Sequence, residues 1–165
     1  MHALVQRLAT WWALAAGAVL LLVVLVTTVN VTAFSLDKIA RLFGAGVAGL
    51  PGYEDFVELA AGAAGLMLMP YCQLRRGHVA VDLFTALTSR VVQKILDAAS
   101  LAAVVALTLF LAYWMIAGLE ETRADGALSP VLGWPMWPFY LPGIVSLLLW
   151  AAVAALQAFA RDADE

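Results

Sequence analysis

Polar positions in this chain are few and bunched, so its pattern is read by marking the charged residues and measuring the gaps between them. A hydrocarbon layer of about 30 Å is crossed by about 20 consecutive apolar residues in helix, which makes each long gap a candidate span. The first gap, between Arg7 and Asp37, is densest over residues 11–34. At about 1.5 Å per residue that part is about 36 Å long, enough to cross with tilt or to protrude. The second gap, residues 59–74, covers only about 24 Å. A span over about 56–74 therefore takes Glu58 into the interface or lets Arg75 snorkel. The third gap, 98–119, is clean and predicts a span over about 97–119. The fourth runs over 126–160, but Pro130, Pro135, Pro138 and Pro142 confine regular helix to roughly 137–159.

The expected fold class is all-α: an integral membrane protein with four transmembrane helices, forming one membrane domain over residues 1–165. An amphipathic cytoplasmic interfacial helix is expected between helices 2 and 3, over about 79–94. There, in "VAVDLFTALTSRVVQKILD", a 100° projection puts Ala80, Phe84, Leu87, Val91 and Ile95 in one sector. Asp82, Thr85, Ser89 and Gln93 fall opposite, with Arg90 and Lys94 on the flank, which suits a membrane surface. A plain cytoplasmic extension of the third span accounts for the same pattern, and both readings stand.

Composition supports the membrane class: 64% of residues are hydrophobic, 13% are charged, and mean hydropathy is +0.93. The apolar stretch after Arg7 is much longer than the about 7 to 15 residues of a signal-peptide core, so an uncleaved first helix is expected. Of the nine Lys and Arg residues, Arg7, Arg75, Arg76, Arg90, Lys94 and Arg161 share the side of the termini and central loop. Lys38, Arg41 and Arg123 fall on the other side, and this bias predicts cytoplasmic termini. The lone Cys72 excludes an internal disulfide, and one Cys with His2 and His78 makes no convincing zinc site. A net charge of −3 gives no case for nucleic acid. No cofactor is expected.

One stretch breaks the oily pattern: "QLRRGHVAVD", residues 73–82. Arg75 and Arg76 stop the second span at headgroup level, where each basic residue near an anionic leaflet gains about 1 kcal/mol. Gly77 permits a turn. His78 and Asp82, four apart, share a face if a helix starts there, and Asp82 also falls near the arginine pair. A bare positive stop explains the arginines but not the Gly-His-x3-Asp continuation.

That segment resembles the signature after the second span in the small, DctQ-type membrane subunit of tripartite ATP-independent periplasmic (TRAP) transporters. "PGYEDFVELAAG", residues 51–62, is similar to the family's acidic entry to span two, and "LGWPMWPFYLPG", residues 132–143, to its Pro/Trp/Tyr-rich entry to span four. His78 follows Gly77 directly, where many members have an extra residue. The resemblance implies a non-enzymatic subunit of the bacterial inner membrane. Its implied partners are a large multi-span TRAP subunit carrying an organic acid with sodium, and a periplasmic substrate-binding protein. Arg75, Arg76, Gly77, His78 and Asp82 are the implied signature and interface residues.

Other polar residues are weighed on their own chemistry. Glu58 lies about one turn inside the short second span with Glu54 four residues earlier, and it either reaches the interface or pairs with a partner subunit. Glu54 and Asp55 are further candidate partner contacts. Asn30 is either helix glue or a solvated group near a span end. The six tryptophans read as interfacial anchors. "AAGAAG", residues 60–65, offers a smooth face for close helix approach. No acid, base or histidine falls at mid-depth of a span, which favours a helper over a carrier. A haem-binding or structural membrane anchor subunit of another multi-subunit complex is the alternative, but haem binding needs facing histidines inside the bundle. A self-sufficient exporter needs an embedded acid, which the first span lacks.

Overall fold

A computed structural model describes residues 2–75 and 90–162. Four helices long and apolar enough to cross a membrane make up most of it: α1 (His2–Arg41), α2 (Tyr53–Leu74), α3 (Arg90–Ala124) and α4 (Tyr140–Asp162). A single 3-10 turn, Trp137–Phe139, leads into α4. Among the described residues the β-type pairing is one isolated bridge between Leu128 and Pro135. The fold is the all-α, four-span architecture expected.

α1 and α3 run well past the charge-free gaps. α1 takes in Asp37, Lys38 and Arg41, because nothing helix-breaking intervenes before Gly44. The two cations in its last turn favour the negative end of the helix dipole, and Asp37 pairs with Arg41 one turn on, at 2.7 Å. The helix then stops in a left-handed residue, Gly44 (φ 74°), as the Ala45 amide donates back to the Ala40 carbonyl at 3.0 Å. α3 begins at Arg90, so residues 90–94 of the expected interfacial helix are the start of α3. Residues 76–89, the rest of that helix, lie outside the described residues.

The helices pack as a row, α1 on α2, α2 on α4 and α4 on α3, with a minor α1–α4 contact. Among the described residues α1 and α3 do not touch. Small residues allow the close approaches: Ala16 of α1 and Ala64 of α2 are fully buried around Met67. At the α3–α4 seam, Gly143 sits so near Met115 and Leu66 that a Cβ there would collide with the Met115 methyl. Pro70, fully buried within α2, has no amide to give the Leu66 carbonyl, so one rung of that helix is missing.

Candidate functional site: polar clamps and open surfaces

Buried polar groups are costly in an apolar bundle unless they find partners, so each one marks a constraint. At one end of the row, the side chain of Gln73 donates through Nε2 to Gln157 Oε1 at 2.8 Å. Gln157 Nε2 in turn donates to the Gln73 carbonyl at 3.0 Å, and the Trp150 indole donates to Gln73 Oε1 at 3.1 Å. This cluster satisfies a carbonyl in the last turn of α2, where intrahelical donors run out. Midway, the Trp12 indole donates to Ser146 Oγ at 2.9 Å, while Ser146 donates to the Pro142 carbonyl at 2.6 Å.

At the other end, Asp55 in the first turn of α2 is buried, and its Oδ2 accepts the Val131 and Leu132 amides, each at 2.8 Å. The loop that presents these amides is folded by its own bonds, Ser129 amide to Trp134 carbonyl at 2.8 Å and Met136 amide to Ala127 carbonyl at 3.1 Å. Gly52 holds φ 74° directly beneath Leu132, where any Cβ would strike the leucine side chain. Asn30 is wholly buried; its Oδ1 accepts the Leu50 amide at 2.9 Å, and its Nδ2 is a buried donor with no partner.

The residues singled out in the sequence separate into three groups. Arg75 closes α2, donating its amide to the Tyr71 carbonyl at 3.0 Å with its guanidinium 5.9 Å from the Tyr71 ring centre. Arg76, Gly77, His78 and Asp82 lie outside the described residues. Glu54 and Glu58 are exposed on α2 and open to a partner or to headgroups, whereas Asp55 is engaged by its own chain. Asn30 binds the following loop, not another helix. Of the six tryptophans expected to anchor the spans, Trp12 and Trp150 also hydrogen-bond across the bundle. Trp137 takes the Arg123 guanidinium 5.4 Å from its ring centre.

Gln73, Gln157 and Ser146 had no signal as functional residues beyond being polar in apolar runs. What the arrangement does chemically is hold α1, α2 and α4 in register. It leaves the apolar flanks of α1 and α3 largely uncovered, through Leu21, Leu25 and Val29 on one and Leu107, Phe110 and Trp114 on the other.

Comparison with protein families finds one that fits this architecture. The family model for the DctQ component of tripartite ATP-independent periplasmic transporters matches residues 36–165, beginning near the end of α1 and including the 73–82 motif. No curated protein and no solved structure gave a match.

Proposed function

The chain belongs to the DctQ component family of TRAP transporters, and on that footing we propose that it braces the large multi-span subunit of such a transporter. The small membrane subunit holds and orients a partner that moves an organic acid with sodium, after a periplasmic binding protein delivers it. It resides in the bacterial inner membrane with both termini cytoplasmic, as the bias of Lys and Arg favours.

The observation that carries the reading is how the polar groups within the helices are used. Ser146, Gln73 and Gln157 bond one helix to another, and Thr108 bonds to its own helix at Val104 and Val105. Groups engaged in this way serve rigidity, and a rigid row with apolar flanks suits the bracing of a neighbour in lipid. The family match favours this over a haem-binding anchor.

Arg75, Arg76, Gly77, His78 and Asp82 form the contact segment at the inner face, and Glu54 and Glu58 offer contacts at the outer face. Co-expression of a tagged chain with the large subunit tests the assignment, with co-purification expected; repeated failure to recover the larger protein contradicts it. Replacing Arg76 or Asp82 lowers assembly and uptake but leaves substrate choice intact. A variant that changes which acid is carried would count against a bracing role.

A further inference from the structure

The connection between α1 and α2 has unusual chemistry for a loop in water. Residues 42–50 read "LFGAGVAGL", without a charged, hydroxyl or amide side chain, although connecting segments ordinarily run over the wet surface. Leu42 and Phe43 are 82% and 83% exposed, and Val47 and Leu50 are exposed beside them. Val31, Phe34, Leu36 and Ile39 near the end of α1 are exposed as well.

Six of its nine backbone amides are satisfied from within. The amides of Leu42, Phe43 and Gly44 donate to the carbonyls of Ile39, Ala40 and Arg41, and that of Ala45 to Ala40. Val47 donates to Asp37 Oδ1 at 3.0 Å and Leu50 to Asn30 Oδ1 at 2.9 Å; Pro51 has no amide hydrogen. Water would serve these groups equally well, so side-chain caps on a loop have most value where water is scarce. Lys38 and Arg41 stand within a turn of the apolar tip, and the Arg41 side chain stays 76% exposed while paired with Asp37.

Helix length agrees with an interfacial placement. Arg7 to Arg41 spans about 51 Å of helix, against about 40 to 45 Å for a bilayer with its headgroups. A tilt of about 35° places both arginines at headgroup level and lies within the range seen for membrane helices.

We propose that the outer end of α1 and residues 42–50 form a lipid-contacting foot. Leu42 and Phe43 enter the acyl boundary of the phospholipid layer, and Lys38 and Arg41 meet headgroup phosphates. This goes beyond the bracing role, because it holds for the chain alone in a bilayer.

The test uses the full chain with Cys72→Ser and Phe43→Cys, labelled with an environment-sensitive NBD dye and reconstituted in phosphatidylcholine/phosphatidylglycerol vesicles. The expected result is blue-shifted emission, quenching by lipids with a shallow acyl nitroxide, and an iodide quenching slope about fivefold below that of the same dye at Asp125→Cys. Iodide quenching equal to the Asp125 site overturns the proposal. So does protection from iodide without nitroxide quenching, which would place the tip against protein. Val47→Cys, on the same loop, gives the same readings if the Phe43 variant does not reconstitute.

Discussion

The Gln157 side chain meets Gln73 twice, accepting from its Nε2 at 2.8 Å and donating to its backbone carbonyl at 3.0 Å. Gln157→Ala breaks both bonds and leaves buried Gln73 with an unmatched amide, a loss of about 1 to 2 kcal/mol. Denaturant titration in micelles measures it. Adding Gln73→Ala to that variant costs much less than Gln73→Ala alone, because the two side chains act as a unit.

Asp55 joins the start of α2 to the loop before α4, so its removal acts 76 residues away at Val131. In Asp55→Ala the amides of Val131 and Leu132 lose their acceptor, and their hydrogen exchange accelerates about tenfold or more while the α2–α4 seam near Gln73 holds. Asp55→Asn keeps one acceptor oxygen and gives a smaller change. Equal exchange in all three proteins would mean that the carboxylate does not restrain the loop.

Three helical glycines separate crowding from open space. A Cβ at Gly143 collides with the Met115 methyl and stands 3.0 Å from Leu66, whereas Gly62 and Gly65 have nothing within 4 Å. Gly143→Ala therefore destabilises the chain by about 1 to 3 kcal/mol. Gly62→Ala and Gly65→Ala are neutral or stabilising by up to about 1 kcal/mol, since alanine favours helix. Thermal unfolding in detergent gives the order. If Gly62→Leu leaves the isolated chain stable but abolishes recovery of the large subunit, that face of α2 is where the neighbour sits.

Trp12 and Ser146 predict an asymmetry. Trp12→Phe removes a donor, but Ser146 keeps its bond to the Pro142 carbonyl at 2.6 Å, so the loss is about 0.5 to 1.5 kcal/mol. Ser146→Ala leaves the indole N–H unpaired in an apolar setting and costs more, about 1 to 3 kcal/mol. Unfolding of the two variants side by side decides it; a larger loss for Trp12→Phe would show that ring packing outweighs the hydrogen bond.

The four spans were legible because charge is so rare here that its gaps report the bilayer thickness directly. Their true ends were not, since a helix stops where its backbone is capped and not where the lipid stops. α1 therefore passes through Asp37, Lys38 and Arg41 to reach Gly44. The clamps were hidden for another reason. Periodicity carries local information, while Gln73 and Gln157 are 84 residues apart and Asp55 and Val131 are 76. Asn30 stood out as an amide in an apolar run, but its bond to the Leu50 amide depends on a loop turning back along α1.

The row order of the helices has a consequence for how the protein is made. α4 leaves the ribosome last, yet it is the element lying between α2 and α3. Until it inserts, the α1–α2 hairpin can close by itself, while α3 lacks the helix it packs on among the described residues. A chain truncated before Tyr140 would thus consist of a paired hairpin and a solitary helix, the form membrane quality-control proteases would meet first.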